Sequence, residues 1–496
     1  MEGILISAAG PGLSKSLILK GIQCLKAIYL AKNPPDFVFP TQPDREARFR
    51  TGTEVGLLAQ RLFPGGAEVP YVGLSVNEQV ARTHELIEAG EPVIYEASFA
   101  WDGIFVKVDI LVRVGSRWDI HEVKMATAIK EINLDDVAIQ YYVLSCCGLS
   151  VSRSFLVHID NSYVRQGALD VHRLFAGEEV TEAVLARQGW LPELIERLRA
   201  TLTKSHEPPI DIGPWCTDPY ECNFIPYCWR HIPEKSVFSL SGSAADKFAL
   251  YYAGFVRLEE VPLDRLKDKQ RFEAEATLGR LDTIHPERVR AFLESLWYPL
   301  CHLDFETFDT PIPPFDGVRP YQKIPFQYSL YVQPQEGVQA EHHEFLAVPG
   351  SDPRRELAER LLAEIPEGAC VLTYNQAFEK GVLRELAVAF PDLAPAIDAL
   401  LANVRDLMLP FKRRDVYRWP MQGSYSIKKV LPALVPALSY EGLSVADGQM
   451  AMLAWYEMGV TDDPERVAAI RRALLEYCRL DTWAMVRILD ELKTMN

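Results

Sequence analysis

Acids set inside apolar strand patterns are the feature that most narrows what this chain can fold into. The run KVDILVR places Asp109 among Val, Ile and Leu, and HEVK follows with Glu122 and Lys124. Further on, LCHLDFET carries Asp304 and Glu306 in another apolar run. Residues two apart on a strand share a face, so Glu122 projects with Lys124, and Asp304 with Glu306. A carboxylate left unpaired in an apolar interior is costly. Each of these strands must therefore meet polar partners from elsewhere in the fold.

The chain has 496 residues, 48% hydrophobic and 24% charged. That length suggests about three domains, and the composition excludes a mostly disordered or fibrous protein. Its net charge is 52 − 68 = −16, which gives no support to non-specific nucleic-acid binding over the whole surface. Any such binding would use local basic grooves. No apolar run approaches the ~18 residues of a membrane span, and Met1–Gly12 lacks a signal-peptide pattern. A cytoplasmic protein without a membrane partner is expected.

The apolar periodicity predicts one amphipathic helix over residues 14–32, opened by Ser14, and a second across residues 46–63. Three strands follow (PVIYEASFA, GIFVKVDILVRV, SRWDIHEVKM), then a helix at about residues 134–147 and a strand SRSFLVHI. Helical patterns run over residues 181–204, and a charge-rich, mainly helical stretch reaches about residue 297. PLCHLDFET opens the last third, with a helix over 354–364, a strand ACVLTYN and a closing helix over 464–494. The expected domains are 1–234, a helical connector 235–297, and 298–496.

Nine cysteines without an export signal argue against a disulfide framework. Cys146, Cys147, Cys301, Cys370 and Cys478 lie in apolar surroundings and read as core. Cys24 stands near the start, while Cys216, Cys222 and Cys228 fall in a Pro-rich loop, C-TDPYE-C-NFIPY-C. Four thiolates can hold a zinc ion or an iron–sulfur cluster.

Asp109 and Glu122 offer oxygen ligands suited to Mg²⁺ or Mn²⁺, and Lys124 can orient water or stabilise charge on a phosphate. At these residues the chain resembles the RecB-like branch of the restriction-endonuclease-like PD-(D/E)XK nucleases. The resemblance implies that Asp109 and Glu122 bind metal, that Lys124 assists hydrolysis, and that Gln140 and Tyr141 of AIQYY support the site. Members often carry a metal-binding His after a Gly-Thr on the preceding helix. Here GTEVGLLAQ has Gly56 at that place, with Glu54 the only nearby substitute. One early and three late cysteines are similarly arranged in the iron–sulfur nucleases of this group, which implies a structural 4Fe-4S cluster at Cys24, Cys216, Cys222 and Cys228. Those relatives more often space the last three C-x₂-C-x₅-C, and zinc is the alternative occupant.

The last third adds TYNQAFEKGVLREL, with Glu379 near a strand-to-helix junction, and EYCRLDTWAMV, with Tyr477 and Asp481 one helical turn apart. With Asp304 and Glu306, in this order, these segments resemble the DEDD 3′–5′ exonucleases on an RNase H-like fold. In that family four carboxylates hold two divalent metals and the Tyr orients the attacking water. Glu379 stands where the family normally has Asp. The pairing of both domains, with RPYQKIPFQYSL and GSYSIKKVLP, resembles a poorly characterised family of bacterial RecB-like proteins. Arg319, Lys323, Lys428 and Lys429 in those segments are local cations that either meet phosphates or remain solvated.

The expectation is therefore an α/β protein: a restriction-endonuclease-like nuclease domain with an iron–sulfur loop, joined by a helical segment to an RNase H-like exonuclease domain. It would be a metal-dependent nuclease acting on nucleic acid, DNA rather than RNA, in repair or anti-phage defence. Two other classes stay open. One is a nucleic-acid-binding scaffold whose sites have decayed at Gly56 and Glu379, and the other is a zinc-stabilised interaction protein.

Overall fold

In the computed structural model, which describes residues 12–39 and 43–495, the chain is a mixed α/β protein of two units. The first comprises residues 1–231 and 310–321, the second 232–309 and 322–496.

The first unit is built on a seven-stranded mixed sheet. Its strands are β1 (Leu13–Ser14), β2 (Ala67–Glu68), β3 (Val93–Trp101), β4 (Ile104–Val114), β5 (Arg117–Lys124), β6 (Val151–Ile159) and β7 (Phe175–Glu179). The order is β2-β3-β4-β5-β6-β7, with β1 added parallel to the start of β4. β4 alternates cleanly: Ile104, Val106, Val108 and Ile110 are at most 1% exposed, while Phe105, Lys107 and Asp109 turn to the opposite face. Its antiparallel ladder with β5 begins at Val114–Arg117 and stops at Ile110–His121, so beyond His121 the two strands part. β5 continues alone against β6 as far as Lys124–His158. Asp109, Glu122 and Lys124 all lie at this notch.

Five helices of this unit matter to the sites: α1 (Lys15–Gln23), α2 (Leu25–Lys32), α3 (Pro43–Ala59), α4 (Val76–Ala89) and α5 (Glu131–Cys146). The single helix expected over 14–32 is broken at Cys24, whose backbone is extended (φ −161°, ψ 121°). The ladder survives on both sides, because Cys24 N–H still reaches Lys20 and its carbonyl accepts from Ile28 N–H. α4, closed at its start by a Ser75–Glu78 capping box, was not anticipated, and neither was β7.

The second unit holds a five-stranded mixed sheet of β9 (Leu300–Phe308), β10 (Ile324–Gln333), β11 (Glu341–Leu346), β12 (Cys370–Thr373) and β13 (Val404–Asp406), ordered β11-β10-β9-β12-β13. β10 is antiparallel to both neighbours, and β12 and β13 run parallel to β9. The closing helix Pro464–Thr494 begins and ends where the sequence places it. The stretch 235–297 does not stand apart as a connector. Its strand β8 (Thr283–Ile284) pairs with β14 (Val416–Tyr417), Glu273 accepts from Ser241 N–H, and Ala276 and Val289 join the core of Leu300, Leu372 and Ile488. Residues 310–321, expected in the second domain, fold with the first unit: Arg165 donates to the Pro313 and Pro314 carbonyls, and Ile312 and Tyr321 pack on its core. Among the described residues no helix is long and apolar enough to cross a membrane.

Candidate functional site

In the first unit the notch between β4 and β5 fills with charge. Past His121 the Val123 N–H has lost its β4 partner, and the Asp109 carboxylate accepts it at 2.7 Å. Lys124 Nζ lies 2.6 Å from Glu122 and 2.6 Å from Asp136. Asp136 sits on α5 one turn before Gln140, so both face the sheet together. The Gln140 amide donates to Glu122 at 2.7 Å and to Asp136 at 3.1 Å. Lys15, the first residue of α1, completes the group at 3.0 Å from Glu122 and 2.9 Å from Asp136. The cluster is three carboxylates and two ammonium groups, tied by one amide.

Burial, with Asp109 and Asp136 nearby, pushes the Glu122 carboxyl up to about 7. Burial also raises Asp109, against the pull of Lys15 and Lys124. Burial opposes ionisation of Asp136 too, but the same two lysines outweigh it and hold that carboxyl below the usual range. Asp136 is therefore the acid the lysines hold ionised, while ionisation is disfavoured at Asp109 and Glu122, the pair read from sequence as metal ligands.

Of the residues expected here, Asp109, Glu122, Lys124 and Gln140 are brought together. Tyr141 instead packs against the apolar core of the sheet. Glu54 is exposed on α3, and nothing lies within 4 Å of where a Gly56 side chain would begin. Lys15 and Asp136 were missed. The i,i+4 spacing from Gln140 was a usable signal for Asp136. For Lys15, 107 residues from Glu122, there was none.

Cys24, Cys216, Cys222 and Cys228 line one cavity together with Trp215, Phe224 and Ile225. The helix break at Cys24 interrupts the α1–α2 run on the side of the loop. Beside it the Gln23 amide donates to the carbonyls of Trp215 at 2.7 Å and Tyr220 at 2.6 Å. Burial pushes the Cys228 thiol up to about 11; Lys26 opposes this, and Cys222, Cys216 and Cys24 add to it.

In the second unit, Asp304 and Glu306 project from one face of the central strand β9. Glu379 stands in the first turn of the helix Gln376–Ala389, which follows β12, the strand beside β9. Tyr477, Cys478 and Asp481 come from the long closing helix. Asp304 feels the charges of Asp481, Glu306 and Glu379, so all four expected carboxylates converge. Burial, then Asp481, pushes Glu306 up to about 8. Burial also pushes Glu379 up to about 8, and Asp304 rises well above the usual range by burial and repulsion. Burial moves Asp481 only to about 6, because hydroxyls of Tyr440 and Tyr477 and the Lys428 charge favour its ionised form.

Glu379 is 1% exposed and its Oε2 has no hydrogen-bond partner. Tyr440 was missed by sequence reading; it lies outside any helix or strand, and its hydroxyl donates to Asp481 at 2.5 Å. Of the four expected cations, Lys428 reaches this site, its Nζ 5.7 Å from the centre of the Tyr477 ring. Lys429 and Arg319 are exposed, and Lys323 is paired with Asp309. Cys478, read from sequence as core, is fully buried, yet its Sγ lies 3.8 Å from Asp304.

Among the described residues, the only group of three or more His, Cys, Asp or Glu donors lying within 4.8 Å of one another is Asp304, Glu306 and Cys478. No three of the four loop sulfurs come that close. The acids of the first cluster do not either, being spaced by lysines.

The model of a domain of unknown function, DUF2779, matches residues 301–426. That span includes Asp304, Glu306 and Glu379 and ends before Tyr440, Tyr477 and Asp481. No curated protein matches the chain.

Proposed function

We propose that the chain is a metal-dependent nuclease with two independent hydrolytic sites, a RecB-like one in the first unit and a DEDD-type exonuclease in the second. The observation that carries this reading is the convergence of Asp304, Glu306, Glu379 and Asp481 from three separate elements into one group, in which Asp304 is half-buried and the other three are buried. Four clustered carboxylates facing a single lysine are expensive without cations. The all-oxygen majority of the set and the orphaned Glu379 Oε2 fit Mg²⁺ or Mn²⁺. Bound there, divalent metals supply an activated water and stabilise the leaving oxygen. In this reading Tyr477 would orient that water, Tyr440 holds Asp481 in place through its hydroxyl, and Lys428 would meet the phosphate of the substrate.

In the first unit Asp109 and Glu122 would hold the metal. Lys124, already hydrogen-bonded to Glu122, is positioned to stabilise charge on the scissile phosphate, with Gln140 fixing the Glu122 carboxylate. The four-cysteine cavity fits a cluster better than a single ion. No three of these sulfurs lie within 4.8 Å of one another, wider than the about 3.8 Å that tetrahedral zinc imposes. A 4Fe-4S cluster there would be structural, closing a loop of nearly two hundred residues. DNA is the favoured substrate.

The test is cleavage of end-labelled single-stranded and duplex DNA and RNA with Mg²⁺ or Mn²⁺. Metal-dependent products supply the expected result, and their absence on every substrate leaves a binding scaffold.

A further inference from the structure

Cys478 is the one donor in the second centre that an all-carboxylate site does not need. It follows Tyr477 on the closing helix and is three residues before Asp481, so the turn that delivers Asp481 also carries its thiol to β9. Its Sγ stands 3.8 Å from Asp304 Oδ2. One donor atom from each of Asp304, Glu306 and Cys478 falls within a 4.8 Å group. In tetrahedral coordination, with sulfur at about 2.3 Å and oxygen at about 2.0–2.2 Å, two such ligands are separated by about 3.5–3.7 Å. The observed spacing is already close to that. A second, independent sign points to a ligand: Glu379, 1% exposed, bears on Asp304 electrostatically and leaves Oε2 without a partner.

We propose that Cys478 is a thiolate ligand of the second centre, making one of its metal positions a mixed sulfur–oxygen site selective for Zn²⁺ over Mg²⁺. This rests on reading that centre as a metal site and adds a donor to it. A soft sulfur favours zinc and cobalt, whereas carboxylates alone suit Mg²⁺ and Mn²⁺. On binding, the Cys478 thiol forms the metal–sulfur bond and its proton leaves to solvent.

Co²⁺ is the probe, because a cobalt–thiolate bond adds a near-ultraviolet charge-transfer band that oxygen ligands do not give. The four loop cysteines also offer sulfur, so the readout is the difference between full-length wild type and Cys478→Ser, both of which keep that loop. The expected result is that Cys478→Ser loses one equivalent of the cobalt band. Its Zn²⁺ affinity should fall roughly tenfold or more while Mn²⁺ binding by the carboxylates persists. Asp304→Asn, which keeps the thiol, should lose the same band. If Asp304→Asn loses metal but Cys478→Ser keeps both band and Zn²⁺ affinity, the thiol is only a hydrogen-bond donor to Asp304 and the proposal is overturned. If neither variant changes Co²⁺, Zn²⁺ or Mn²⁺ binding, the metal-centre reading itself fails.

Discussion

Lys15 shows how one side chain can set the state of a whole cluster. With Lys124 it bridges Glu122 and Asp136, and its own side chain is 21% exposed. Removing one partner of a largely buried pair leaves charge uncompensated. Lys15→Ala is therefore expected to destabilise the first unit by about 2–4 kcal/mol in denaturant unfolding, and a loss below about 0.5 kcal/mol would mean the ammonium is dispensable. In the second unit, Tyr440→Phe removes a hydrogen bond to an ionised carboxylate, typically about 1.5–3 kcal/mol. Trimming of 3′ ends should fall roughly tenfold or more, with the first site unaffected, when both are assayed on the same preparation.

Period forced part of each set onto a shared face, while Gln140 and Glu379 were named through the family resemblances. Glu122 with Lys124, and Asp304 with Glu306, needed only strand alternation. Asp481 with Tyr477 needed only one helical turn. Lys15 and Tyr440 were not legible, because each reaches its acid through tertiary packing: Lys15 across 107 residues, Tyr440 across 41 from an irregular segment.

At the scale of elements, the informative departures are breaks in regular structure. Periodicity over residues 14–32 reads as one helix because apolar residues continue at helical spacing on both sides of the break; nothing in the pattern marks Cys24 as extended. The end of the β4–β5 ladder at Ile110–His121 is equally silent in sequence, since alternating apolar and charged residues continue past it on both strands, yet it opens the notch for Asp109. The connector 235–297 was misplaced because its short, charge-rich helices give no long apolar pattern, and tertiary packing of Ala276 and Val289 on the second core, with the β8–β14 pairing, ties them in.

Gln23 gives a test of the cysteine cavity. Gln23→Ala removes its bonds to the carbonyls of Trp215 and Tyr220, so amides of residues 215–222 should exchange faster and bound iron should drop. Cys146→Ser should leave iron content unchanged. Iron retained in full by both Gln23→Ala and Cys24→Ser would remove the α1–α2 break from the cluster site.

At the scale of the molecule, raised carboxyls make the second unit sensitive to pH. Glu306 and Glu379 sit at about 8 in the folded metal-free protein against 4.5 ordinarily. The folded state therefore binds more protons than the unfolded one between these values, and stability declines as pH rises through them. The melting temperature of the metal-free protein is expected to fall by roughly 5 °C or more from about pH 5 to about pH 8. Mn²⁺ should restore most of that loss at the alkaline end, since it binds the ionised form. A flat profile with and without Mn²⁺ would contradict a buried four-carboxylate centre.

The two sites share no residue: Lys15, Asp109, Glu122, Lys124, Asp136 and Gln140 belong to one unit, and Asp304, Glu306, Glu379, Tyr440 and Asp481 to the other. Their effects should be close to additive. The most direct measurement is a product map of 5′-labelled DNA with Mn²⁺ for wild type, Lys124→Ala, Asp304→Ala and the double variant. Lys124→Ala is expected to lose one class of cut by about 10²–10³-fold while keeping the ladder of 3′ trimming. Asp304→Ala should do the reverse, and the double variant should cut nothing. A double variant that cuts as fast as wild type, or single variants that each abolish every product, would contradict two independent nuclease sites in this chain.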